Sequence, residues 1–148
     1  MIRKATLGDG EALWRLLCIL EGRELDRAAL LRILEGQLAD SRRVLLVWEQ
    51  DEDGGGLADP RPRAFLNMKI EPQLHHAGRV AEIQELVVDP ALRGRGVGHR
   101  LFTAALDAAR DARCVRLELA TNRGRLGAHR FYERERMAQT HFGYTLDL

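Results

Sequence analysis

Glu82-Ile83-Gln84-Glu85-Leu86-Val87-Val88-Asp89-Pro90-Ala91-Leu92-Arg93-Gly94-Arg95-Gly96-Val97-Gly98 carries most of the structural information in this chain. The apolar, β-branched run Ile83 to Val88 stops at Asp89-Pro90, a turn signal. Gly94, Gly96 and Gly98 follow at alternate positions, and a helix-forming stretch then runs from His99 to Arg113. Strand, glycine-rich loop and helix N-terminus together make an anion cradle. Glycine lets the backbone bend and approach closely, the exposed N–H groups converge, and the helix end contributes partial positive charge. Arg93 and Arg95 add full charges. The segment predicts a loop that holds a pyrophosphate.

Two common glycine signatures fail here. A Rossmann fingerprint requires glycine where this chain has His99, with Gly98 one position short. A P-loop requires Gly-Lys followed by Ser or Thr, and neither Gly94 nor Gly96 precedes that pair. The pattern that does fit is Arg-x-x-Gly-x-Gly, with Arg93, Gly96 and Gly98. It resembles the acetyl-CoA-binding motif of the GNAT superfamily of N-acetyltransferases.

A second segment carries the same resemblance. Cys114 to Ala120 alternates apolar and polar residues, as a half-exposed strand does. After the polar stretch Thr121 to Gly127 comes Ala128-His129-Arg130-Phe131-Tyr132. This is similar to the last family helix, whose tyrosine reaches the sulfur of coenzyme A; Tyr132 is the matching position. The chain departs from the pattern twice. Glu135-Arg136-Met137 stands where the family helix ends in glycine and an aromatic residue, and a C-terminal glycine is the usual left-handed stop. Arg125 stands where the family often has asparagine, and Asn122 lies earlier in the loop.

The resemblance extends over nearly the whole chain, its motifs being specific between about Glu82 and Tyr132. It implies an α/β fold with a mixed, mostly antiparallel central sheet, splayed at the acetyl-CoA site and flanked by helices. It implies acetyl-CoA as co-substrate, with the backbone of Leu86, Val87 and Val88 along the pantetheine arm. Arg93, Gly94, Arg95, Gly96, Val97, Gly98 and His99 would surround the pyrophosphate, and Asn122 would be a further contact. The implied reaction is direct attack of an amine on the thioester in a ternary complex, without an acetyl-enzyme. Such a reaction needs a base for the amine, donors for the oxyanion and a proton for the thiolate. Glu82 matches, by spacing, the glutamate that acts as base in the histone-acetylating branch, while Glu85 lies nearer the acetyl group. Three apart, the two face opposite sides of a regular strand, which a bulge would change. Glu82 is taken as base, Glu85 as amine-binding carboxylate and Tyr132 as the acid.

The rest of the sequence bounds this reading. Its 148 residues suit a single domain, here 1–148, able to bury a substantial core. A net charge of +1 demands neither nucleic acid nor an anionic membrane. Arginines 93, 95, 100, 123, 125 and 130 gather around the proposed cofactor site, as a triply phosphorylated ligand would favour. Cys18 and Cys114 sit in apolar contexts and read as buried thiols. No signal peptide or membrane-length run is present, so the expected home is the cytoplasm. The pair His75-His76 lies in a loop, and no His/Cys spacing suits a metal.

Coarse periodicity predicts strand 2–5, helices Asp9–Glu21 and Asp26–Ala39, and strands Val44–Glu49 and Ala64–Ile70. The cradle strand and long helix come next, then strand Cys114–Ala120, the tyrosine helix and a closing strand near Gln139–Leu146. Asp51-Glu52-Asp53 and three glycines mark a hairpin loop between the second and third strands. The acceptor, a small-molecule or peptide amine, carries no motif; Asp51, Glu52, Asp53, Glu71 and Glu82 would attract a cationic one. Family habit implies a homodimer. Two other classes fit the residues less well: a silent acetyl-CoA-binding regulatory module, and a nucleic-acid binder using the arginine cluster. The second lacks a basic balance and interleaved aromatics.

Overall fold

The apolar runs of the central strands are buried, at alternate positions on Arg43–Trp48 and consecutively over Ala64–Met68. In the computed structural model, residues 1–49 and 62–148 are described. They comprise two compact units, Met1–Glu118 and Leu119–Leu148. In the first unit, β1 (Ile2–Lys4), β2 (Arg43–Trp48), β3 (Ala64–Gln73) and β4 (Gly78–Val88) pair as successive antiparallel neighbours. β5 (Arg116–Leu119) completes a five-stranded sheet in the order 1-2-3-4-5. Val115 N–H donates to Arg79 O at 2.8 Å at the start of β5.

Helices cover both faces. α1 (Gly10–Glu21) and α2 (Arg27–Leu38) bury Leu13, Leu16 and Leu34 in a cluster with Leu45, Val47, Phe65 and Val87. The side chain of Asp26 caps α2 by accepting Ala29 N–H at 2.9 Å. α3 (Val97–Asp111) packs against β2, β3 and β4. It presents Leu101, Phe102, Ala105 and Ala109, all buried, at the i, i+4 spacing of one helix face.

The entry to α1 is fixed electrostatically. Asp9, only 5% exposed, takes a two-pronged ion pair from Arg3, both bonds 2.8 Å, and Thr6 N–H at 2.7 Å. Arg3 Nε also donates to Glu49 at 2.9 Å, which ties β1 to the end of β2. Burial alone would raise the Asp9 pKa, but the bonds from Arg3 and Thr6 outweigh it and hold the carboxyl below its usual range.

Most expected elements are present, with shifted ends. β4 begins at Gly78, well before the apolar run at Ile83, because it pairs with β3 back to the Gln73–Gly78 turn. Pairing with a neighbouring strand overrides the weak β propensity of Gly78-Arg79. The closing strand near Gln139–Leu146 is not formed, and residues 137–148 carry no regular structure. Phe142 and Tyr144 in this stretch are exposed, and alternation alone does not hold a strand without a ladder partner. The hairpin loop with Asp51, Glu52 and Asp53 lies outside the described residues.

In the second unit, α4 (Leu126–Arg134) ends in a Schellman turn despite lacking glycine. Met137 N–H donates to Tyr132 O at 3.0 Å and Arg136 N–H to Glu133 O at 3.0 Å, with Arg136 in the left-handed region at φ 65°. The helix therefore stops in the usual geometry with arginine in the glycine position. An L side chain there costs about 1 kcal/mol. Arg136→Gly is expected to raise unfolding stability by about 0.5–1 kcal/mol in urea titrations.

Asp9→Asn is expected to lower stability at pH 7 by about 1–3 kcal/mol, the cost of weakening a buried charged network. The folded Asp9 pKa is depressed, so its contribution is present above the unfolded value near 3.9 and fades as pH falls through the folded value. Urea titrations of both proteins should converge in that acid window.

Candidate functional site

The cradle loop is built from the end of β4. Asp89 Oδ1 accepts Ala91 N–H at 2.9 Å, and Leu92 N–H donates back to Asp89 O at 2.8 Å. These bonds start a short 3-10 turn at Pro90–Leu92. Burial would raise the Asp89 pKa, but that bond and an ion pair to Arg63 at 2.9 Å hold the carboxyl low. Buried Leu92 and Val97 pin the two ends of the loop. Between them Arg93, Gly94, Arg95 and Gly96 are all exposed.

Gly94 and Gly96 adopt φ 76° and 77°, a backbone that other residues rarely take. A Cβ built on either would meet nothing within 4 Å, so open space lies beside the backbone. Gly96 caps α3, and Arg100 N–H donates to its carbonyl at 3.0 Å as a first helical bond. The N–H groups of Val97 and Gly98 precede that bond, and a helix supplies its first turn with no carbonyl partners. His99 and Arg100 lie exposed on the same turn. The loop is thus an exposed, positively charged helix N-terminus with room for a phosphate group against its backbone.

β4 also carries the two glutamates. Asn67 pairs with Glu85 and Met68 with Ile83, so Gln84 is an extra residue opposite no partner. This bulge changes the side-chain parity. Glu82 pairs with Lys69 and Glu85 with Asn67, and Lys69 and Asn67 are two apart on β3. Both glutamates therefore project from the same face of the sheet, the one covered by α1 and α2.

Their surroundings differ. Glu85 accepts from Asn67 Nδ2 at 2.7 Å, and the same Nδ2 donates to Gln37 Oε1 of α2 at 2.9 Å. Burial raises the Glu85 pKa. The Asn67 bond and the Arg43 charge offset part of that rise, while Glu21 of α1 adds to it. Glu82 lies beside Lys69, which pairs with Glu71 at 2.9 Å. Leu86, Val87 and Val88 continue β4 from the bulge to the cradle, with Val87 buried in the core.

Tyr132 belongs to the second unit. Its ring meets Phe131 edge-on, centroids 5.2 Å apart, and burial pushes the phenol pKa up with Arg125 partly opposing. Asn122 is committed to the turn before α4, its Oδ1 accepting Gly124 N–H at 2.8 Å. His75 and His76 form a short turn at the tip of the β3–β4 hairpin, away from the bulge along the strands. Among the described residues, no group of three or more His, Cys, Asp or Glu side chains could hold a metal ion. No described helix is long and apolar enough to cross a membrane.

Sequence reasoning missed Gln37, Arg43, Asn67 and Gln84. Only Asn67 left a signal, as the lone amide in the apolar run Ala64-Phe65-Leu66-Asn67-Met68.

The acetyltransferase (GNAT) family model matches residues 12–136. An aminoalkylphosphonate N-acetyltransferase of Salmonella typhimurium is 36% identical over 145 residues, covering 97% of this chain and 88% of the relative. A transcriptional regulator from Bacillus halodurans superposes with a TM-score of 0.86 at 23% identity, covering 100% of this chain and 99% of that one. Glucosamine-6-phosphate N-acetyltransferase from Arabidopsis thaliana superposes at 0.80 with 21% identity, covering 99% and 97%. The two structural likenesses show a shared fold.

A half-buried carboxylate that resists ionisation leaves a mark on stability. The folded Glu85 pKa is raised, so the protein is destabilised once pH climbs above the unfolded value near 4.3. Glu85→Gln is expected to be more stable than the parent at pH 7. The difference should open as pH rises from the unfolded value through the folded one, and vanish in acid, in paired urea titrations.

Proposed function

Because the chain belongs to the GNAT family of acetyltransferases, we propose that it moves an acetyl group from acetyl-CoA to a primary amine by direct attack in a ternary complex. The observation that carries the co-substrate is the cradle, where two left-handed glycines alternate with exposed Arg93 and Arg95 and lead into a helix N-terminus. Arg93, Gly94, Arg95, Gly96, Val97, Gly98 and His99 would hold the pyrophosphate, and the backbone of Leu86, Val87 and Val88 the pantetheine arm. Asn122 would help from the turn before α4. When bound, acetyl-CoA supplies an activated acyl carbon and a thiolate leaving group.

The residues of this chain then handle protons. A raised pKa suits Glu85 for taking a proton from an incoming ammonium near neutral pH. Glu82, on the same face, holds the amine or shares that task. This reverses the roles that the family resemblance implies. Tyr132 gives a proton to the departing thiolate, and its place in the family motif carries that assignment. Holding both reactants in line contributes several kcal/mol of the rate gain, on the order of the effective-molarity advantage.

The likeness to the Salmonella aminoalkylphosphonate N-acetyltransferase supports an acceptor class. At 36% identity over nearly the full chain, a small primary amine bearing an anionic group is the acceptor we assign.

Calorimetric titration with acetyl-CoA, followed by thiol-release assays over a panel of amines, tests this reading. Binding and thiol release are expected together. Gly96→Glu should abolish measurable binding, since its carboxylate enters the anion space and strains a left-handed position. Tyr132→Phe and Glu85→Gln should each keep binding while lowering turnover about 100-fold, the size of a general acid or base contribution. Binding with no release from any amine would point to a silent acetyl-CoA-binding module instead, and absence of binding would refute the cradle.

A further inference from the structure

We propose that Arg43, Gln37, Asn67 and Glu85 form a subsite that reads a zwitterionic acceptor, Glu85 and Asn67 taking its ammonium and Arg43 its phosphonate or similar anion. This rests on the acetyltransferase reading above and assigns residues to the acceptor.

Two buried polar atoms without partners carry the argument. Asn67 is 4% exposed, and its Nδ2 serves both Gln37 and Glu85. Its Oδ1 is buried and has no hydrogen-bond partner among the described residues. Arg43 Nε is likewise buried and unpartnered. One is an acceptor wanting a donor, the other a charged donor wanting an acceptor.

Strand register puts them side by side. Arg43 pairs with Lys69 and Leu45 with Asn67, so Arg43 and Asn67 stand in adjacent cross-strand rows on one face. Arg43 Nη1 donates across the sheet to Gln84 Oε1, the bulged residue, which fixes the guanidinium toward Glu85. Asn67 in turn fixes which carboxylate oxygen of Glu85 is occupied.

Charge divides the face into two ends. Glu85 feels the Arg43 charge on one side and Glu21 of α1 on the other, and with Asn67 it offers carboxylate oxygens and the unpartnered Oδ1 to an ammonium with three N–H donors. Arg43 gives the other end a planar cation suited to phosphonate or carboxylate oxygens, with Glu82 two strands away in the same row, beyond Lys69. Lys69 is already held by Glu71 and does not compete for the anion. A short molecule with an amine at one end and an anion at the other satisfies both orphaned atoms at once.

The test compares aminomethylphosphonate with ethylamine as acceptors, by thiol release from acetyl-CoA with the full chain. The parent should favour the phosphonate in kcat/KM by about 10–100-fold, the effect of one charge-assisted contact pair. Arg43→Gln should lose about tenfold or more on the phosphonate beyond whatever it loses on ethylamine, with KM bearing the change, and Arg43→Lys should recover part of it. Asn67→Leu should lower kcat/KM on both amines alike, because it removes the ammonium's acceptor. Retained acetyl-CoA binding by calorimetry shows that each variant is folded. Equal losses on both amines in Arg43→Gln, or no preference in the parent, would overturn the subsite while leaving the acetyltransferase reading intact. No thiol release by the parent from either amine, or from the wider panel, would remove that reading and the subsite with it.

Discussion

One extra residue in β4 decides which face of the sheet its two glutamates share. Opposite Asn67 and Met68, the strand carries Ile83, Gln84 and Glu85, and the ladder absorbs three positions against two. Because side chains alternate strictly along a strand, an inserted residue flips everything beyond it relative to everything before it. Without the bulge, Glu82 and Glu85 would face opposite sides of the sheet, and one carboxylate would enter the apolar layer under α3. With it, Ile83 and Val87 stay buried on their respective faces while both glutamates project from the face that α1 and α2 cover.

The polar cluster around the bulge is tolerated because it is framed by close packing. Leu66 and Met68, flanking Asn67 on β3, are fully buried, and Leu45 beside it belongs to the core cluster. Asn67 therefore cannot swing out to water, and each unpartnered buried atom costs about 1–3 kcal/mol. A fold selected only for stability would place an apolar side chain there. Burial of Glu85 runs the same way, favouring its neutral form where a stable protein would favour none. Local departures from polar satisfaction of this kind cluster at sites that bind something.

Backbone-driven features were legible in the sequence, and side-chain constellations were not. The glycine spacing at Gly94 and Gly96 announced left-handed positions before a helix, and both φ values are of that kind. The Ile83–Val88 run, the two N-terminal helices and the helix-forming stretch after the glycines are equally readable in the sequence. The bulge was foreseen only as a contingency, since Gln84 differs from its neighbours in no way that spacing reveals. Arg43 and Gln37 come from a strand and a helix far from β4 in sequence, and only the register brings them to Glu85. The alternation Phe142-Tyr144-Leu146 misled because propensity describes a strand's readiness to pair and not the presence of a partner. Likewise, the missing helix-stop glycine mattered less than expected, because Arg136 adopts the conformation at a modest cost.

This contrast has a physical source in how the two reactants are held. A pyrophosphate is gripped by N–H groups that every residue possesses, so what the sequence must specify is conformation, and glycine records conformation at fixed spacing. An amine acceptor is distinguished from its competitors by side-chain charge and by the penalty for leaving buried groups unpaired. On the proposed reading that work falls to single residues on α2, β2, β3 and β4, each unremarkable in its own segment. Chains that share the cradle can therefore differ in acceptor through changes at one or two such positions without disturbing the glycine motif. In this chain the constraint is tighter, because Arg43, Gln84, Asn67 and Glu85 are coupled through the bulge. On the proposed reading, altering the register there would misplace the base and the acceptor's anchors together, so specificity and proton chemistry would depend on the same strand irregularity.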